Sequence, residues 1–225
     1  QEFSQCGYDV VYDKKNAANY GVPQARNRVF IVGIRKDISN NFNFIFPEET
    51  HCKNGYDDIK ENWISINEVL SDMPEPDINN IHFNHIGSKY KVIHRNFTGH
   101  RIPNGKKPCP TILARGGGGG GVCAIPHPKG HRRLTVRESA RMQLFPDDYI
   151  FKGKLMSMYR QVGNAVPVIL AQKIASSFPL DIDKISKTEV SLKVSSLFSG
   201  CGGLDLGFKM SGFKINWAND IFTDA

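Results

Sequence analysis

The sequence predicts an α/β fold, and three observations carry that prediction. Residues 193–220 read as strand, glycine turn, helix and second strand, the way a doubly wound sheet begins. Residues 8–12 and 28–34 are β-rich runs, and residues 134–146 and 167–178 have helical character. Residues 47–128 turn from acidic to rich in Asn, His, Gly and Pro, which predicts a smaller, irregular and mostly non-helical domain.

Taken in order, the first two strands flank a polar turn at residues 16–24 that contains Gly21 and Pro23, so they are expected side by side. The irregular stretch has room for one short helix near residues 66–71 and ends in six consecutive glycines at 116–121. Thr135 with Glu138 three residues on has the capping-box spacing, and Pro146 stops the helix it opens. Pro167 opens the next helix, which carries apolar Val168, Ile169, Leu170, Ile174 and Ala175. The polar segment after it has no periodicity and reads as a linker at 181–192. A strand at 193–198, the turn Ser199-Gly-Cys-Gly-Gly203, a helix at 204–210 and a strand at 214–220 complete the chain. The expected divisions are 1–46, 47–129, 130–180, the linker, and 193–225.

With 225 residues, 40% hydrophobic and 23% charged, the chain can bury an ordinary core. No apolar run approaches the ~20 residues of a membrane helix, and no signal-peptide pattern opens the chain, so an intracellular protein without a membrane partner is expected. Cys6, Cys52, Cys109, Cys123 and Cys201 lack paired spacing, which argues against a disulfide framework and a zinc site. A start at Gln1 rather than Met leads us to expect a piece of something longer.

The net charge of +7 is uneven. Residues 91–141 hold eleven basic side chains and one acid, Glu138, a local +10 that leaves −3 elsewhere. A polyanion is the natural partner, and a solvated basic face is the alternative. His94, His100, His127 and His131 lie in or beside this block without metal-ligand partners, and no metal is expected.

The glycine turn matters because a helix starting directly behind a strand leaves room for a ligand only where side chains are absent. Gly200, Gly202 and Gly203 supply that room, and Asp220, twenty residues past Gly200, stands where a carboxylate can accept both hydroxyls of a ribose. Asp205 replaces the third glycine of a dinucleotide fingerprint, so an adenosine without phosphates fits better, and a tight turn that binds nothing is the alternative. Gln24, Arg26 and Arg28 alternate along an extended chain and can share a face, suiting a base edge or a phosphate, or else forming exposed edge charges.

Four long runs together resemble the DNA cytosine-5 methyltransferases. Ser196-Leu-Phe-Ser-Gly-Cys-Gly-Gly-Leu-Asp-Leu-Gly-Phe208 is similar to their first motif, and Asn16-Ala-Ala-Asn-Tyr-Gly-Val-Pro-Gln-Ala-Arg-Asn-Arg-Val-Phe-Ile-Val-Gly33 to the eighth. Arg133-Leu-Thr-Val-Arg-Glu-Ser-Ala-Arg-Met-Gln-Leu-Phe-Pro146 is similar to the ninth and Tyr159-Arg-Gln-Val-Gly-Asn-Ala-Val-Pro167 to the tenth. The order, eighth before first, resembles a circularly permuted member. The third to seventh motifs, including the Pro-Cys-Gln nucleophile and the Glu-Asn-Val carboxylate, do not occur in this sequence. Pro108-Cys109-Pro110 lies in the wrong context, and Cys201 stands where the family varies, so neither is expected to be the nucleophile.

The resemblance implies a Rossmann-like sheet binding S-adenosylmethionine beside a target recognition domain for double-stranded DNA. Such chemistry needs a thiolate on C6 of cytosine, an acid at N3 and a methyl donor for C5 of a flipped base. Phe198 would stack near the adenine, Gly200 and Gly202 would admit the methionine end, and Asp220 would hold the ribose, with Ser199, Cys201, Gly203, Leu204 and Ile221 around them. Asn164 and Val166 would close the pocket. Arg28 would contact the cytosine, with Gln24 and Arg26 bracing its strand. Lys106, Lys107, Arg115, Gly117 and Arg133 would meet DNA, and Arg133, Arg137 and Glu138 would organise the ninth-motif helix against the recognition region. The resemblance further implies a bacterial restriction–modification setting in the nucleoid-bearing cytoplasm and a complementing chain or segment; a non-catalytic DNA-binding relative is the alternative.

Overall fold

The computed structural model describes residues 2–39, 44–55, 59–76, 84–86, 101–114, 125–178 and 192–224. After a short helix α1, Glu2–Gln5, strand β1, Tyr8–Asn16, pairs antiparallel with β3, Asn27–Arg35, from Tyr8 opposite Arg35 to Asn16 opposite Asn27. The turn between them is a 3-10 segment, Ala17–Tyr20, and a short strand β2, Gln24–Ala25. Asn16 holds it closed, its Oδ1 accepting from Ala18 N at 3.3 Å and from Arg26 N at 3.1 Å. Gly21, at φ 80°, takes the left-handed cap that a side chain would strain. Along β3, Phe30, Val32 and Ile34 alternate inward onto Tyr20, Val22, Leu170 and Ile174. Helix α2, Lys36–Ser39, follows.

The middle of the chain has little regular structure among the described residues. Strands β4, His51–Cys52, and β5, Glu61–Asn62, pair parallel, and α3, Ile66–Val69, is the one helix described there. Ser65 and Glu68 close a reciprocal capping box on it. Strand β6, Cys109–Pro110, pairs with β2 and so ties this region to the start of the chain.

Helix α4, Val136–Arg141, begins at the Thr135–Glu138 capping box, with Glu138 N donating to Thr135 Oγ1 at 3.1 Å and Thr135 N to Glu138 Oε2 at 2.8 Å. Helix α5, Leu155–Asn164, forms where no helix was expected, although Leu155, Met158, Tyr159 and Val162 have the i, i+3, i+4, i+7 spacing of an apolar helix face; Lys154 gives no side-chain cap. Packing holds it instead, because Tyr159 and Val162 bury one face against Val136, Phe145 and Phe151. Helix α6, Val168–Ala175, starts behind Pro167 as its sequence predicts.

Strand β7, Lys193–Leu197, and strand β8, Lys214–Asn219, pair parallel across helix α7, Gly203–Met210. This is the predicted strand, turn, helix, strand order in a mixed α/β chain. Helix α7 lies unusually close to α6. A Cβ on Gly207 would stand 2.5 Å from Ala171 Cβ and 2.6 Å from both Gln172 N and Val168 O, and one on Gly203 would stand 2.5 Å from Val166 O. The six-glycine run and the expected linker, apart from Leu192, lie outside the described residues.

Candidate functional site

The turn after β7 is built from left-handed residues: Phe198 at φ 54°, Gly200 at 55° and Gly202 at 72°. Gly202 N donates to Ser199 O at 3.0 Å, and Ser199 donates to Asn219 O through both its N, at 2.9 Å, and its Oγ, at 3.0 Å. The end of β8 thereby holds the turn. Asp220 completes the joint, with Phe222 N donating to Oδ1 and Gly200 N to Oδ2, each at 2.9 Å. Those two bonds, the Phe222 one foremost, hold its carboxyl below the usual range. A carboxylate oxygen accepts more than one hydrogen bond, so Asp220 keeps acceptor capacity.

Three stretches converge on a cleft of about 380 Å³. The turn contributes Phe198, Ser199, Gly200, Gly203 and Leu204, the end of β8 contributes Asp220, Ile221 and Phe222, and the end of α5 contributes Arg160, Asn164 and Val166. Phe198 and Ile221, 83% and 85% exposed, are the most uncovered of the apolar side chains at the cleft. A Cβ on Gly200 would meet no protein atom within 4 Å, which leaves the turn bare there. Two expected contacts do not line this cleft. Cys201 and Gly202 border an adjoining hollow, and Cys201 turns inward, its Sγ donating to Gln161 O at 3.3 Å while burial pushes the thiol up to about 12. The reason is the packing of α5 beneath the turn, where Cys201 joins the core of Val162 and Val168.

Gln24 and Arg26 turn the face they share into the protein, which excludes both a base-edge or phosphate contact and exposed edge charges and leaves them bracing the strand. Arg26 is 1% exposed, and its guanidinium donates to Ile112 O at 2.8 Å, Gly163 O at 2.8 Å and Ala165 O at 3.0 Å. Burial, with a smaller push from Arg28, lowers its pKa to about 10, so it stays charged at neutral pH. Gln24 is buried beside it, accepting from Ile112 N at 3.2 Å. Both residues act through the frame: they lock the β2 turn to the end of α5 and to residue 112. Arg28 is only half-buried, and its Nη1 donates to Asn27 O at 2.7 Å.

Folding consumes much of the basic block. Arg132 is bonded to buried Glu138 at 2.7 and 2.8 Å and to Glu75 at 2.8 Å. Burial alone would raise the Glu75 carboxyl, but hydrogen bonds from Arg132 and His131 bring it down to about 2. Arg137 holds the carbonyls of Pro146 and Tyr149, and Arg141 bridges Asp72 and Asp147. Arg133, expected on DNA, is 3% exposed with its guanidinium 4.1 Å from the Tyr159 ring centre, so its role is structural. The acids that neutralise this block, Asp72, Glu75 and Asp147, lie outside it in sequence, which is why charge counting overstated its free charge. Lys106 and Lys107 remain exposed, and Lys106 lines a groove with Asn104, His127 and Lys129. Arg115 and Gly117 lie outside the described residues.

Sequence reasoning passed over Arg160, whose guanidinium lies 4.1 Å from the Phe222 ring centre at the cleft. Its signal was present, since it stands one helical turn before Asn164 on the same face. Among the described residues no His, Cys, Asp and Glu group could hold a metal ion, and no helix is long and apolar enough to cross a membrane.

Known proteins extend these observations. The chain is 34% identical to Type II methyltransferase M.NgoFVII of Neisseria gonorrhoeae, over 84% of this chain and 55% of that protein. It is also 34% identical to Type II methyltransferase M.MthTI of Methanothermobacter thermautotrophicus, over 81% of this chain and 60% of that protein. Among solved structures it is similar to the S. pombe Dnmt2 methyltransferase, with a TM-score of 0.46 at 17% identity over 78% of this chain and 57% of that one. The chain thus spans little more than half the length of the relatives it matches. The DNA_methylase family, described as C-5 cytosine-specific DNA methylase, matches residues 1–179 and 192–225, which takes in every element of the cleft, and the chain belongs to that family.

Proposed function

We propose that this chain supplies the S-adenosylmethionine pocket and the DNA grip of a restriction–modification cytosine-5 methyltransferase in a bacterial cytoplasm. In this reading the eighth, ninth and tenth motifs precede the first in permuted order, and a complementing chain or further segment carries the nucleophile. The observation that carries it is the convergence of the bare glycine turn, Asp220 and the Asn164–Val166 segment on one cleft. At about 380 Å³ the cleft falls within the roughly 300–1,000 Å³ range of small-molecule sites. The bare Gly200 and the two most uncovered apolar side chains fit a flat base and its ribose. The bound cofactor supplies an electrophilic methyl group. Asp220 accepts the ribose hydroxyls, Phe198 and Ile221 cover the adenine, Asn164 and Val166 close the pocket, and Arg28 stands at the flipped cytosine. The nucleophile is assigned elsewhere because the Pro-Cys-Gln motif does not occur in this sequence and Cys109 and Cys201 lie in other contexts; both are also buried, with their thiols pushed up by that burial.

Calorimetry with the full chain tests this reading. S-adenosylhomocysteine should bind, and Asp220→Ala should weaken it by roughly 1–3 kcal/mol, the scale of hydrogen bonds to a charged group. Tritiated methyl transfer to DNA should be absent until a chain carrying the missing motifs is added. A wild-type chain that neither binds the ligand nor gains thermal stability from it contradicts the proposal.

Lys106 and Lys107 are assigned to phosphates, and Arg115, next to the glycine run in sequence, to a base edge, with Gly117 also assigned to DNA. Lys106→Ala with Lys107→Ala should weaken binding to all duplexes alike and flatten the salt dependence by about one to two counterions. Arg115→Ala should cost about 1–3 kcal/mol on the cognate sequence alone. Titrations of cognate and scrambled duplexes at several salt concentrations separate the two, and an equal loss on both DNAs would reduce Arg115 to a phosphate contact.

A further inference from the structure

Arg160 is the one cation among the described residues lining the cofactor cleft, and the reading above leaves it without a task. Helix α5 presents it one turn before Asn164, and the half-buried guanidinium is fixed by its stack on Phe222, with 4.1 Å to the ring centre. Stacking takes up the face of a guanidinium and leaves the N–H groups at its edge available. Among the described residues those N–H groups form no hydrogen bond and no ion pair. The only carboxylate among the described residues on the same lining is Asp220, which attracts Arg160 through space but forms no ion pair with it, its oxygens accepting from Phe222 N and Gly200 N. The cleft therefore holds a positioned cation whose N–H edge is not capped by a carboxylate of the described residues.

We propose that Arg160 binds the carboxylate of the cofactor's methionine moiety, an inference that rests on the cofactor reading above. The carboxylate is the only anionic group of S-adenosylmethionine, whereas its sulfonium and ammonium groups are repelled by a guanidinium. Arg160 thus sets the direction in which the ligand lies, with its amino-acid end toward α5, and makes the cleft select adenosine thioethers that carry a carboxylate over those that do not. Phe222 is the support that holds the guanidinium in place.

Calorimetry on the full chain with S-adenosylhomocysteine and with 5′-methylthioadenosine, which lacks the amino-acid end, tests this. The wild-type chain is expected to prefer S-adenosylhomocysteine by about 10- to 100-fold, the scale of a charge-assisted hydrogen bond. Arg160→Gln should bring its affinity down to that of 5′-methylthioadenosine and leave the latter unchanged, with Arg160→Lys in between. Equal affinity of the wild-type chain for the two ligands overturns the assignment without any variant. So does a loss of both ligands together in a folded Arg160→Gln protein, which would make Arg160 part of the frame or a cover for the adenine. A wild-type chain that binds neither ligand overturns the cofactor reading itself, which separates that failure from the failure of Arg160 alone.

Discussion

Arg26→Ala is expected to lower the thermal midpoint of the chain by roughly 6–12 °C, the shift that about 3 kcal/mol produces in a protein of this size. The side chain is enclosed, and its guanidinium serves the carbonyls of Ile112, Gly163 and Ala165. Each buried carbonyl left without a donor costs about 1–3 kcal/mol. Releasing a charge that burial already disfavours returns part of that sum, so the net stays near the lower end. Arg26→Lys should recover little, because one ammonium cannot reproduce the planar fork that reaches carbonyls in different segments. Thermal melts of the three proteins check this, and a midpoint within a degree or two of wild type in Arg26→Ala would mean that water replaces the guanidinium at no cost.

The second large effect is expected at Gly207. Two of the three atoms nearest a Cβ there are backbone atoms of α6, at 2.6 Å, which cannot rotate away as a side-chain tip could. Overpacking of this kind costs about 1–3 kcal/mol for a methyl group and more for a branched side chain. The displacement would fall on the cleft, since α7 carries the glycine turn at its start and α6 follows directly on Asn164 and Val166. Gly207→Val should therefore remove S-adenosylhomocysteine binding and lower the thermal midpoint, with Gly207→Ala intermediate. Gly33→Ala is the control, because the nearest atom to its Cβ is Tyr8 Cδ1 at an ordinary 3.4 Å. Equal behaviour of Gly207→Ala and Gly33→Ala in calorimetry and melts would show that the α6–α7 contact is loose.

What was legible in the sequence was local. The Thr135–Glu138 box, Pro167, the β-rich run at 28–34, and the glycine turn followed by Asp220 each rest on a few adjacent residues, and the structure places helices, strands and the turn there. Helix α5 escaped because its start has no capping side chain, although the apolar spacing of Leu155, Met158, Tyr159 and Val162 was there to read. The inward turn of Gln24 and Arg26 escaped for a related reason: alternation tells which residues share a face but not what that face meets. Arg26 meets carbonyls as far as 139 residues away, and a carbonyl leaves no trace in residue type. Charge counting failed on Arg132, Arg137 and Arg141 in the same way, since their partners Glu75, Asp147 and the carbonyl oxygens come from other segments or from backbone.

The close seat of α7 on α6 also bears on how such a protein can be encoded. The two halves of the cleft meet through bare glycine against the α6 backbone, a joint that needs no particular peptide path between residues 178 and 192. A protein whose working parts are held by contact tolerates relocation of its ends, because a break at one loop and a new splice at another leave every contact in place. In the permuted reading proposed above, this contact is what would keep the pocket whole while the order of the motifs changes.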